Sequence, residues 1–114
     1  MEKRLQIWGL LALSMAFGST ISGQTIYEVS YESQADIKVF VVAYESQCDL
    51  KVFKVKYASQ ANEEGLWYVV AYESQADKTI YFVDYESQAD LKIYYVDYES
   101  QVGWRNNSKE HLLK

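Results

Sequence analysis

Carboxylates recur through this chain at fixed intervals, as Glu32, Glu45, Glu73, Glu86 and Glu99 and as Asp36, Asp49, Asp77 and Asp90, each close to a serine and a glutamine. Side chains of this type could gather around a hard cation or divide into an acid and a base. Their spacing argues otherwise. A calcium loop concentrates its oxygens in a D-x-D-x-D run, which is absent, and Lys38, Lys51, Lys78 and Lys92 stand two residues or fewer from the aspartates. Structural ion pairing and turn capping are therefore expected of these acids, with no cofactor and no metal ligand. The serine–glutamine pairs, from Ser33-Gln34 to Ser100-Gln101, are expected to form a polar ladder in stacked copies, bonding to each other or to turn backbone, because buried polar groups need partners. Nucleophilic catalysis has little to work with. Cys48 is the sole cysteine and His111 the sole histidine, and the histidine lies in a polar tail at 107–114, where a mobile segment would hold no catalytic geometry. Glycoside chemistry would need a pair of acids that breaks the repeat symmetry, and only Glu63 and Glu64 do so. The expected class is non-catalytic.

These residues are positioned by an internal repeat. Tyr-Glu-Ser-Gln-Ala-Asp at 85–90 recurs with small changes at Tyr31, Tyr44, Tyr57, Tyr72 and Tyr98, with successive spacings of 13, 13, 15, 13 and 13 residues. The longer spacing contains Asn62-Glu63-Glu64-Gly65-Leu66, so two triplets of copies are joined at a centre. Each motif tyrosine closes a six-residue run, at 26–31, 39–44, 52–57, 67–72, 80–85 and 93–98, rich in the β-branched and aromatic residues of strands. The second position is always Tyr or Phe, the fourth always valine and the sixth always tyrosine. With a period of two, this predicts an aromatic–valine–tyrosine face turned inward and a variable face turned outward. On the outward face Trp67, Phe82 and Tyr95 form the candidate interaction patch, with Glu63 and Glu64 at the junction as further candidates. Trp104 is expected to pack the end of the last coil. Identical copies ask for identical surroundings, which favours parallel strands over a meander. Thirteen residues are about the shortest path to a parallel neighbour, and the length is easiest to satisfy if the two triplets wind together.

Length and composition limit what such a domain can be. With 114 residues, 49% hydrophobic, there is room for one small domain. A lone cysteine permits no internal disulfide, although a solvent-facing Cys48 would allow a crosslinked homodimer. Lys3 and Arg4, the apolar run at 5–17 and the small residues at 18–23 read as a secretory signal peptide over 1–23. That run is shorter than the roughly 20 residues of a membrane span, so no membrane association is expected after cleavage. The formal charge of −5 becomes −6 once Glu2, Lys3 and Arg4, together +1, are removed. Acidity spread through every repeat speaks against nucleic acid as a partner.

The tandem Tyr-Glu-Ser-Gln-Ala-Asp copies, the Ile/Leu-Lys-Val-Phe/Tyr that follows them, the longer central spacing and the closing Gln101-Val102-Gly103-Trp104-Arg105-Asn106 resemble the septoil knot domain, a small bacterial family. The resemblance covers 24–106. It implies an all-β, deeply knotted domain with seven crossings and no established activity. Departures are Ala58 for glutamate, Cys48 for alanine, Asn62 for aspartate and Val102-Gly103 in the last copy. The reading of the sequence is thus an all-β, compact, repeat-built domain of about six short strands with a 13-residue period, in two interwound triplets. A secreted or periplasmic structural or interaction module, kinetically stable through its topology, is the expected function, with an unknown protein or glycan as partner. A calcium- or glycan-binding module is the alternative, and a hydrolase using Glu63 or Glu64 a weaker one.

Overall fold

The computed structural model describes residues 24–114; the expected signal peptide at 1–23 lies outside the described residues. Seven strands follow in order: β1 (Gln24–Glu28), β2 (Ile37–Val41), β3 (Leu50–Lys54), β4 (Leu66–Val69), β5 (Lys78–Phe82), β6 (Leu91–Tyr95) and the short β7 (Gly103–Trp104). The first six are parallel and close into a barrel in the order β4-β1-β5-β2-β6-β3, with β3 returning to β4. β7 runs antiparallel against the start of β3. Every interface of the barrel joins a strand of the first triplet to a strand of the second, so the two triplets are interwound.

The register explains how 13 residues suffice. At each of the six interfaces the neighbour is displaced by two residues in the same sense, as in Ile26 beside Lys78 where Ile80 is the equivalent of Ile26. With about 3.3 Å per residue and 4.8 Å between strands, this offset tilts the strands roughly 54° from the barrel axis. Equivalent residues of all six copies then sit at the same height. The chain climbs little on each pass and steps over one strand of the other triplet. The turn at Glu32–Gln34 accordingly lies against β5, Glu45–Gln47 against β6, Glu73–Gln75 against β1 and Glu86–Gln88 against β2.

Layers of six fill the interior. The central layer is Ile26, Val39, Val52, Trp67, Ile80 and Ile93, each at most 2% exposed. Below it, at the strand starts, Ile37, Leu50 and Leu91 occupy one half of the ring, and Gly65, Gln24 and Lys78 the other. The C-terminal segment completes that polar half. Expected to be a mobile tail, it forms a 3₁₀ helix over Asn107–Leu113, opened by the Asn106 side chain accepting from the Ser108 N–H. Leu113 enters the core, Gln24 Nε2 donates to the Leu113 carbonyl at 2.8 Å, Lys78 Nζ to the Lys114 carbonyl at 3.1 Å, and Lys114 pairs with Glu64. An apolar side chain with a neighbour to donate to its carbonyl is cheaper to dock than to leave in water.

The expected inward face is corrected by this arrangement. The core consists of the first position of each run and the residue two before it. The motif tyrosines, expected in the core, are 66–69% exposed. The strands begin and end earlier than the runs: Val29, Val42 and Val83 still donate to the neighbouring strand, and the tyrosine that follows two residues later already opens a 3₁₀ turn. The invariant valines are largely buried, but outside the central cluster.

The strand starts are held by the aspartates. Each donates its own N–H to a carbonyl of the adjoining strand and accepts, through Oδ2, the N–H of that same residue: Asp36 with Thr79, Asp49 with Lys92, Asp77 with Thr25 and Asp90 with Lys38. The lysines expected to pair with the motif acids find the aspartates engaged in this way. Lysines pair with glutamates instead, Lys38 with Glu32 at 3.4 Å, Lys51 with Glu45 at 3.8 Å and Lys92 with Glu86 at 3.3 Å. Hydrogen bonds to charged groups contribute about 1.5–3 kcal/mol. Asp90→Ala should therefore lower stability by about that amount, and Asp90→Asn, which keeps an acceptor, by less; equilibrium denaturation after full relaxation checks both. Leu113→Ala, which empties the strand-start plug, should cost about 2 kcal/mol or more in the same assay.

Candidate functional site at the strand ends

Two residues above the central layer, the inward positions form a rim at the strand ends: Val69, Glu28, Phe82, Val41, Tyr95 and Lys54 in ring order. This is the variable face of the sequence, and it points into the barrel and its mouth. Phe82 and Tyr95 pack against the core from above. Lys54 Nζ stands 5.0 Å from the centre of the Tyr95 ring, a cation–π contact between neighbouring strands. Glu28 lies opposite Tyr95 in the ring. Burial, first, and then the Glu28 charge push the Tyr95 phenol above its ordinary range. Val41 and Val69, 39% and 50% exposed, give the rim two apolar gaps. The rim therefore offers one cation, one anion, two aromatic rings and two valines within a closed circle, and it is the part of the barrel where the copies differ most.

The expected candidates are divided by the fold. Phe82 and Tyr95 share this rim. Trp67 does not belong to a surface patch: at 1% exposure it fills the central layer above Gly65, with its indole Nε1 lacking a hydrogen-bond partner. The reason is the parity of β4, which turns its first-position residue into the barrel like every other copy. Glu63 and Glu64 sit at the opposite, strand-start end, where Glu64 pairs with Lys114 at 3.7 Å. Cys48, expected as a possible solvent-facing thiol, is 3% exposed. Arg105 covers its backbone, donating to the carbonyls of Ser46 at 2.8 Å and Cys48 at 3.3 Å. Burial raises the thiol pKa, partly offset by the Arg105 charge, with Glu45 and Asp49 raising it further. Sequence reasoning missed Glu28, Lys54, Val41 and Val69, and their position in the repeat was the available signal: they are the third residues of their runs, as Phe82 and Tyr95 are of theirs.

Of the bonds expected of the motif serines and glutamines, those to turn backbone form in two copies: Gln60 Oε1 accepts from the N–H groups of Lys56 and Tyr57, and Gln101 Oε1 from that of Tyr98. A hollow of about 510 Å³ is lined by Asp49, Glu86, Asp90, Lys92 and Lys109, among others. Its acids are occupied: Asp49 also accepts from Asn106 Nδ2, Glu86 pairs with Lys92, and Asp90 accepts from the Lys38 N–H, while Lys109 Nζ donates to the Asp90 backbone carbonyl.

The sequence model of the 7(1) septoil knot domain matches residues 23–105. The chain belongs to the septoil knot family. No match was found among curated proteins or among solved structures. The family match spans all six barrel strands and β7, and the 3₁₀ plug of this septoil knot lies beyond it.

Two outcomes follow for the titratable groups. A tyrosine with a raised folded pKa releases its proton earlier when unfolded, so stability is present below about pH 10 and falls as pH rises through the folded value. Tyr95→Phe should flatten that alkaline loss and remove the highest-pH component of an ultraviolet tyrosine titration. The Cys48 thiol should react with iodoacetamide only as fast as the protein opens, giving a labelling rate that matches the unfolding or opening rate.

Proposed function

We propose that this septoil knot is a non-catalytic module of the cell exterior, secreted or periplasmic, which holds an interaction surface in a fold that unfolds slowly. The observation that carries the reading is the alternation of triplets around the barrel. No strand can leave without parting from two strands of the other triplet, and no triplet can leave without unwinding from its counterpart. Many such contacts have to break together before the unfolding transition state is reached, which lengthens the lifetime of the native state without disulfides. The basic start and apolar run of residues 1–23 support export. Persistence would serve a protein facing proteases outside the cell. A calcium-binding reading receives less support, because the motif aspartates accept backbone N–H groups and three of the motif glutamates pair with lysines.

The chain lacking residues 1–23 should unfold over hours in guanidinium concentrations well above its refolding midpoint, with marked hysteresis between unfolding and refolding curves followed by tryptophan fluorescence. It should also resist a broad protease at room temperature. Unfolding within seconds together with ready digestion would sink the proposal.

A further inference from the structure

The part of the chain repeated most faithfully is the part the barrel uses least. Tyr31, Tyr44, Tyr57, Tyr72, Tyr85 and Tyr98 are 66–69% exposed, on turns of nearly identical backbone conformation. The fold takes their backbone: the carbonyls accept the N–H of the glutamine three residues on, and the Tyr57 and Tyr98 N–H groups donate to the side chains of Gln60 and Gln101. Each ring is followed by an exposed serine in every copy, and by an exposed glutamate in five. Exposure alone does not keep a position constant. The residue just before each tyrosine is equally open to solvent and has become Ser30, Ala43, Lys56, Ala71, Asp84 and Asp97. Even the central core layer varies, with Trp67 among isoleucines and valines. Six constant, solvent-facing tyrosines thus exceed what folding asks for, and exposed tyrosine offers a large amphipathic contact face at low entropic cost.

We propose that the six turns form a multivalent surface for a neutral polysaccharide. The inference rests on the reading of the protein as an interaction module and names its partner class. Sugar rings present C–H faces to aromatic rings, and their hydroxyls both donate and accept. The turns match this: serine hydroxyls and glutamine amides donate and accept, and the Glu32–Lys38, Glu45–Lys51 and Glu86–Lys92 pairs set an acceptor beside a donor with no net charge. A polyanion is disfavoured by the formal charge of −5. An extended peptide has no open barrel edge to join, because the six long strands close on themselves. Turns that are neighbours in space alternate between triplets, so Tyr31, Tyr85 and Tyr44 follow one another around the barrel, about 8 Å apart at the level of the strands and farther apart outside it. A repeating ligand can engage several such weak sites at once, and its retention then rises far above that of one site.

The test is retention of the chain lacking residues 1–23 on insoluble cellulose and on chitin, with heparin–agarose as the charged comparison. Retention on at least one neutral polymer is expected, with little on heparin. Tyr31→Ser should weaken it a few-fold, and the triple variant Tyr31→Ser, Tyr85→Ser, Tyr44→Ser by about tenfold or more, because several contacts are lost together. Asn107→Ser, at an exposed position of the C-terminal 3₁₀ helix, should leave retention unchanged. The variants should keep the circular dichroism and unfolding rate of the parent, because the rings removed are two-thirds exposed. The inference is overturned by no retention on either neutral polymer, by retention undiminished in the triple variant, or by retention on heparin alone. The unfolding rate of the parent decides the scaffold reading separately, whichever of these results is obtained.

Discussion

A carboxylate at the start of a strand, accepting a backbone N–H from the strand beside it, is the interaction on which the rest of this barrel depends. A parallel ladder displaced by two residues at every interface leaves an N–H of the neighbour uncovered where each strand begins. Asp36, Asp49, Asp77 and Asp90 fill that place. Their partners are 43 or 52 residues away and always in the other triplet. Each aspartate is thus a staple between two coils that local sequence alone would not bring together. Where the partner is threonine the bond is doubled, with the Thr25 and Thr79 hydroxyls accepting from Asp77 and Asp36. Where it is lysine, the side chain is free to turn to a glutamate of the preceding turn.

The breaks in the repeat are where the ends of the barrel are solved. The junction has no aspartate staple, and the chain enters β4 with Gly65 at φ +99°, its Cα pressed so closely on β3 that a side chain would meet the Lys51 carbonyl at 2.6 Å. That glycine leaves a gap in the lowest layer, beneath the largest side chain of the central one, Trp67. Gln24 beside the gap, and Lys78 next along the ring, have polar groups to satisfy. Leu113 and the carbonyls around it answer both needs, supplying apolar volume and two acceptors. Departures from symmetry in three separate strands therefore converge on one added element.

Strand number, parallel direction and the winding of two triplets were all legible, because they follow from repeat length and from the demand that equal copies have equal surroundings. Which face looks inward was not. Valine at every fourth position and tyrosine at every sixth suggested a core, since burial is the usual cause of constancy. In this chain constancy marks the connector, which must make the same turn over a strand six times, and the core tolerates exchange among Ile, Val and Trp because a ring of six side chains can share volume. The tail was read as loose because its sequence is polar, Leu112 and Leu113 excepted; what fixes it is a cavity formed by residues 24, 65 and 78, which no local pattern connects to it. Cys48 likewise gives no hint of burial until Arg105 folds back over its carbonyl.

Closure also changes what the outside of the molecule can be. Exposed aromatic residues on an open sheet invite pairing between chains, since an unpaired edge supplies the hydrogen bonds and the rings supply the contact area. A barrel of six mutually paired strands withholds the edge, and the connectors that wrap it interrupt the tyrosines with glutamates and lysines. The surface is then free to carry six large rings without becoming a seed for aggregation. Closure, interwinding and the exposed motif are in this sense one arrangement: the first makes the third tolerable, and the second holds both in place. An interior that varies and an exterior that does not is the reverse of the usual order in a globular domain, and it follows from putting the repeated sequence into turns rather than into the core.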